Sequence, residues 1–198
     1  MRINARRVDD RTVRSDGGNL AAYLYGLRGS TEHDDRAAWD LLMHRLRHTA
    51  PFIRDLVPEP VGRDHVRLDW IDSRGDRYGV HQLSDGTLRA LALFAALGQP
   101  IARRPRFITI DEPELGLHPS ALHSVCELIR SVAPTTQVLM ATQSPGLLDQ
   151  FEPADVIVVE AHEEGSVFRR LDPLALSGWL DEYTLSDLFE KNVLGGRP

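Results

Sequence analysis

The sequence predicts an α/β fold, a mostly parallel sheet with flanking helices, and three observations predict it. Phe107-Ile108-Thr109-Ile110 is a short apolar, β-branched run after Pro105 that ends in Asp111-Glu112. That is the pattern of a buried strand delivering carboxylates at its C-terminal end. Gln137-Val138-Leu139-Met140-Ala141-Thr142 repeats the pattern and ends in Gln143-Ser144-Pro145. Between the two, Pro119 suits the first turn of a helix running to about Val132.

The other elements follow in order. Residues 1–17 are polar and arginine-rich, with a turn at Asp16-Gly17-Gly18, and read as extended or loose. Asn19 is placed to cap a short helix over Leu20 to Gly26. Ser30, Thr31 and Asp34 offer caps for a second helix, about Asp35 to His48, where Ala38, Leu41, Leu42 and Leu46 make one apolar face. His44 and His48 share a metal-compatible spacing there, but no third ligand stands nearby and a solvated basic face accounts for them. Pro51, Pro58 and Pro60 break the helix. Val66 to Ile71 alternates, Ser73 to Asp76 turns, and Arg77 to Gln82 runs back as a β-hairpin. Ser84 or Asp85 caps the apolar helix through Ala90 to Leu97. After the strands come a third strand at Asp155 to Glu160 and an antiparallel partner at Ser166 to Leu171. Amphipathic pieces at Leu174 to Leu180 and Thr184 to Val193 complete the chain.

Composition narrows the function. The 198 residues suffice for one sizeable core and a small appended lobe. A formal net charge of -6 argues against a wholly basic nucleic-acid binder, though a local patch stays open. Cys126 is the only cysteine, which excludes an internal disulfide, fits a reducing cytoplasm and reads as a small buried hydrophobe. No stretch is apolar and long enough to span a bilayer, and the expected location is cytoplasmic. Lys191 is the only lysine, and Phe189-Glu190 before it contains no glycine. The pattern G-x-x-x-x-G-K-[ST], in which lysine reaches the β- and γ-phosphates, is therefore absent.

Two segments still point at phosphate chemistry. Paired acids at a strand end suit a nucleotide-hydrolysing site: Asp111 to hold Mg²⁺ through its water shell, and Glu112 to orient the attacking water. Alone, the run also reads as a strand entering an acidic turn. Leu83-Ser84-Asp85-Gly86-Thr87-Leu88-Arg89 opens a helix whose N-terminal N–H groups favour an anion, and Gly86 permits close backbone approach. An ordinary capped core helix has the same pattern. On the phosphate reading, a bulky Gly86→Gln change should block ATP-dependent association and leave the isolated fold nearly intact; a positive φ at Gly86 would instead make the change damage the fold.

The ordered set LSDGTLR (residues 83–89), strand plus DEPELGLHP (111–119), and strand plus TQSP (142–145) resembles the C-terminal lobe of ABC/SMC-type ATPases. It is most similar to a branch of predicted AAA-type ATPases that includes phage-defence and toxin–antitoxin proteins. The resemblance covers about residues 16–198, including the closing Gly195-Gly196-Arg197-Pro198. It implies a P-loop NTPase fold, ATP and Mg²⁺ as cofactors, and a homo- or hetero-dimer closed across ATP. By the resemblance, Leu83, Ser84, Asp85, Gly86 and Arg89 belong to the signature motif, which clasps the γ-phosphate of ATP held by another protomer. Asp111 resembles the Walker-B magnesium residue and Glu112 the catalytic base. Glu114 to Pro119, with His118, occupy the D-loop region. Gln143 stands where many relatives carry a switch histidine, and glutamine donates a hydrogen bond but has no titratable proton.

The resemblance also implies a front half with Walker A and a glutamine loop, expected to precede residue 1. Three regions are expected: a helical and hairpin region over 1–82, an ATPase lobe over 83–172 and a helical tail over 173–198. The chain is expected to be an ATPase by family but inactive alone, completed by a P-loop-bearing lobe or protomer. The alternative is a non-catalytic regulatory subunit that pairs with a complete ATPase.

Overall fold

Pro58 and Pro60 carry no N–H, yet both lie within a nine-residue strand, and the sheet order shows why this is tolerated. In the computed structural model, which describes residues 4–6 and 11–196, three strands run in the order β1 (Asn4–Arg6), β3 (His65–Asp72), β2 (Ile53–Val61). β2 is thus an edge strand, where a missing donor costs no ladder bond. It pairs antiparallel with β3 from Ile53↔Asp72 to Val61↔His65. The expected hairpin is present but shorter: β4 (Arg77–Gly79) pairs β3 from Asp69↔Gly79 to Ile71↔Arg77. A 3₁₀ turn over Val80–Gln82 then leads towards the next helix. Residues 1–3, 7–10, Arg197 and Pro198, parts of the expected loose N-terminal stretch and of the closing segment, lie outside the described residues.

The chain divides into two compact units. The first holds residues up to Ile110 and Leu115–Leu139. Its helices are α1 (Leu20–Gly29), α2 (His33–Thr49), α3 (Asp85–Leu97) and α4 (Pro119–Val132). Tyr23, Leu24, Leu46, Leu56, Phe94 and Leu128 are among its most deeply buried side chains. Burial pushes the Tyr23 phenol upward, against the pull of Arg103 and Arg104. On α2 the buried face is Ala38, Leu42, Met43 and Leu46, while Leu41 is exposed. His44 and His48 are exposed, and no group of three metal-ligating side chains forms among the described residues. Asn19 precedes α1 but makes no side-chain cap. It is buried and ties the preceding segment instead, accepting from Arg14 N–H at 2.9 Å and donating to the Thr12 carbonyl at 2.7 Å. Cys126 is buried, as its sequence context predicts.

The second unit holds Asp111–Glu114 and Met140–Pro198. Its core is Val158, Leu171, Leu185, Leu188 and Leu194, with Leu148, Val156, Leu176, Leu180, Tyr183 and Phe189 packed around it. These come from α5 (Pro145–Leu148), the antiparallel hairpin β7 (Ile157–His162) and β8 (Gly165–Arg170), α6 (Pro173–Leu180) and α7 (Leu185–Glu190), with the residues that join and follow them.

β5 (Phe107–Asp111) and β6 (Gln137–Ala141) form a two-stranded sheet. Gln137 N–H donates to the Arg106 carbonyl at 2.8 Å, and Glu112 N–H to that of Ala141 at 2.9 Å. Start bonds to start and end to end, so the pair is parallel. The expected mostly parallel sheet is corrected here: this is the one parallel pair among the described residues, and the other pairings are antiparallel. A helix pattern between two strands demands a parallel crossover, but it does not say how many strands join that sheet. No helix among the described residues is long and apolar enough to cross a membrane.

Candidate functional site

Ser84 sits immediately before α3 with extended backbone, φ -64° and ψ 152°, and its Oγ accepts Thr87 N–H at 3.1 Å. That satisfies one of the unpaired donors at the start of the helix. Ser84 Oγ and Thr87 Oγ1 are also 2.9 Å apart. With Thr87 as donor in that bond, the Ser84 hydroxyl keeps its own proton to give away. Asp85 opens the helix and is exposed, whereas Leu83 is buried and anchors the segment. Arg89 follows one turn into α3, half-buried.

Gly86 is the second residue of α3. A Cβ there would stand 2.0 Å from the carbonyl oxygen of Gly116, a distance no side chain tolerates. Gly116 itself has φ +73°, the left-handed region glycine adopts without penalty. The start of α3 and the turn after Pro113 therefore meet backbone to backbone. This corrects the expectation that a bulky residue at Gly86 leaves the isolated fold intact. His118, in the same unit, precedes α4 and caps it: Nδ1 accepts Ser120 N–H at 3.3 Å and lies 2.8 Å from Ser120 Oγ.

In the second unit, Asp111 is the exposed last residue of β5. Glu112 is exposed and has φ +44°, an uncommon conformation for a residue with a Cβ and one that collects at functional sites. Its N–H bond to Ala141 holds it beside the end of β6. Gln143 is exposed two residues on, flanked by Thr142 and Ser144. Sequence reasoning placed Glu114 and Thr142 inside the motifs but gave them no role. Thr142 Oγ1 donates to Glu114 Oε1 at 2.7 Å and accepts Ser144 N–H at 3.0 Å. The signal was a carboxylate and a hydroxyl just beyond the C-terminal ends of two neighbouring strands, each side chain able to reach across the pair.

A cavity of about 400 Å³ lies elsewhere in the first unit, lined by Arg67, Asp69, Arg77, Tyr78 and His81 among others. Arg77 there bridges Glu59 at 2.6 Å and Asp69 at 2.8 Å, and its hydrogen bond holds the Glu59 carboxyl below the usual range. None of the motif residues lines that cavity.

Several known proteins resemble the chain. It is 35% identical over 92 residues to Arcadin-4 of Pyrobaculum calidifontis, a stretch covering 46% of this chain and 11% of that protein. The chain thus spans about a ninth of that relative's length. Its fold matches a solved structure described as "Structural biochemistry of ATP-driven dimerization and DNA stimulated activation of SMC ATPases", with TM-score 0.56, 16% identity, and 74% of this chain and 91% of that one covered. It also matches the Smc head domain of Pyrococcus furiosus bound to the C-terminal domain of ScpA, with TM-score 0.57, 16% identity, and coverage of 74% and 37%. At these identities the likeness is one of fold. Residues 28–149 match the family model described as "AAA domain, putative AbiEii toxin, Type IV TA system". That span is more than half of the 198 residues, and the chain belongs to this family of AAA ATPase domains.

Proposed function

We propose that the chain contributes to ATP hydrolysis in two separate ways, Walker B at one nucleotide and the signature motif to a nucleotide held by another polypeptide, and that a P-loop-bearing segment supplies the phosphate cradle. The observation that carries this reading is Glu112, an exposed carboxylate held in a left-handed backbone conformation where a parallel strand pair ends. Ends of this kind are where α/β sheets bind ligands.

The residues fit the expected groups. Mg²⁺ in phosphate sites takes one or two carboxylates plus water and phosphate oxygens, so Asp111 alone, exposed at the strand end, suffices as its protein ligand. When bound, the ion neutralises charge on the phosphates. Glu112 orients and polarises the attacking water. Gln143 donates a hydrogen bond from its carboxamide towards the γ-phosphate. The Ser84 hydroxyl and the N-terminus of α3 together meet a γ-phosphate presented by another polypeptide. Asp85, Gly86 and Arg89 frame that surface, while Leu83 anchors it from beneath and His118 holds the start of α4.

Two facts support the need for a second segment. The only lysine, Lys191, lies at the C-terminal end of α7 and outside any glycine-rich loop. Phe107 is 52% exposed and Leu139 50% exposed on the parallel pair, although parallel sheets are covered on both faces. A further α/β layer from a P-loop-bearing segment fits that face.

The test is a Glu112→Gln change, assayed with a P-loop-bearing segment of the same family. ATP-dependent association should persist while turnover falls about a hundredfold or more. The isolated chain should bind ATP·Mg²⁺ only weakly by titration calorimetry, for want of a phosphate cradle. Wild-type turnover in Glu112→Gln would place the base elsewhere. ATP-dependent association with no turnover in either form would favour the regulatory reading.

A further inference from the structure

Two bonds join the loop after β5 to the loop after β6 within the second unit. Glu112 N–H donates to the Ala141 carbonyl at 2.9 Å. Two residues further along the first loop and one along the second, Thr142 Oγ1 donates to Glu114 Oε1 at 2.7 Å. The same Thr142 oxygen accepts Ser144 N–H at 3.0 Å. One hydroxyl therefore works in both senses: its proton goes to the carboxylate, and a lone pair receives the amide two residues ahead. That closes a side-chain turn of the threonine type around Gln143. The other carboxylate oxygen, Oε2, is buried and has no hydrogen-bond partner among the described residues, so the Thr142 hydroxyl is the group that binds this carboxyl.

We propose that Glu114 and Thr142 form a positioning pair that fixes Gln143 relative to Glu112. The inference deepens the reading of Glu112 and Gln143 as the hydrolytic residues and rests on it for its catalytic consequence. The chain of constraint is short. Glu112 is tied to Ala141, Glu114 to Thr142, and Thr142 to Ser144, so the residue on each side of Gln143 is pinned while Gln143 itself is exposed. With a proton acceptor at Glu114, the Thr142 hydroxyl has one preferred rotation, and its lone pair faces the Ser144 amide. Without the acceptor the hydroxyl turns freely, and the loop carrying Gln143 loosens. Neither residue of the pair needs to touch the nucleotide.

The test has two arms on the full chain. The first needs no nucleotide: hydrogen exchange at the Ser144 amide, a group Glu114 does not touch. Glu114→Ala should speed that exchange roughly tenfold or more, the loss expected for one hydrogen bond to a charged-type acceptor. Glu114→Gln keeps an acceptor oxygen and should stay within about twofold of wild type. Thr142→Val should match or exceed Glu114→Ala, and Thr142→Ser should restore protection. If the alanine variant does not fold, Glu114→Met keeps the length without the acceptor and gives the same readout. A folded Glu114→Ala or Glu114→Met protein with unchanged Ser144 exchange overturns the pair.

The second arm measures turnover with a P-loop-bearing segment. Glu114→Ala and Thr142→Val should lower kcat about tenfold with KM little changed, and Thr142→Ser should recover it. An active wild type whose kcat ignores Glu114→Ala overturns the catalytic consequence. A wild type without turnover overturns the hydrolytic reading, and with it that consequence, while the exchange arm still decides the structural pair.

Discussion

A Cβ on Gly86 would stand 2.0 Å from the Gly116 carbonyl oxygen, so the glycine is explained by packing inside the protein whatever ligand approaches it. Sequence alone offered close approach to a phosphate, because a glycine at a helix start says only that something comes near. The structure names what does: the backbone of the turn after Pro113. Gly86→Ala should therefore destabilise the isolated chain by about 1–3 kcal/mol, the usual cost of overpacking. For a chain of this size that lowers the thermal midpoint by several degrees. Gly146→Ala is the control, since among the described residues nothing lies within 4 Å of a Cβ there. Equal midpoints for the two variants, followed by circular dichroism, would show that the Gly86–Gly116 contact is not tight. Asn19 makes a similar point. Its position before a helix matched a cap, but its buried amide is spent on Arg14 and Thr12, a choice between two local partners that the sequence leaves open.

At the scale of elements, α3 and α4 were legible almost to the residue, and their caps explain it, whereas α1 and α2, which make no side-chain cap bond, were placed less closely. α3 begins after Ser84, α4 begins at Pro119, and both starts follow from single side chains acting locally. β2 was not legible, because Pro58 and Pro60 read as breakers. Only the sheet order, which puts β2 at an edge, removes the objection. α7 carries a reciprocal cap: Asp187 N–H donates to Thr184 Oγ1 at 3.2 Å, and Thr184 N–H donates to Asp187 Oδ2 at 3.0 Å. The backbone bond from Thr184, then the hydroxyl bond, hold the Asp187 carboxyl below its ordinary range. A carboxyl whose pKa is depressed on folding adds stability above its unfolded pKa of about 3.9. That stability is lost as pH falls through the lower, folded value. Asp187→Asn should therefore destabilise the second unit at pH 7, where α7 contributes Leu185 and Leu188 to the core. The gap from wild type should close as the medium is acidified below the unfolded pKa. Denaturant midpoints for both forms at pH 7 and at pH about 3 check this. A gap that is constant with pH would mean the aspartate acts through shape alone.

At the scale of the whole molecule, three motifs in a fixed order were enough to identify the family, because each keeps its residues contiguous. The distribution of strands among sheets was not contained in them. Phe107-Ile108-Thr109-Ile110 and the run at 137–141 read as buried on both faces, yet Phe107 and Leu139 are half-exposed. An apolar run records that a surface is to be covered and not what covers it. The Glu114–Thr142 bond was hidden for a different reason: 28 residues separate its ends, and only the parallel pairing brings them together.

Glu112 has a consequence for how such a chain changes over generations. Its φ of +44° carries a penalty of about 1–2 kcal/mol for a residue with a Cβ, which glycine avoids at the expense of some unfolded-chain entropy. Glu112→Gly should then leave the thermal midpoint equal to or slightly above wild type, where most substitutions lower it. A fall of several degrees would mean that contacts of the glutamate outweigh the backbone term. If the midpoint holds and Glu112 has the hydrolytic role proposed above, folding and hydrolysis select in opposite directions at this one codon. On that proposed role, a lineage released from the need to turn over ATP would drift towards glycine or asparagine at this position.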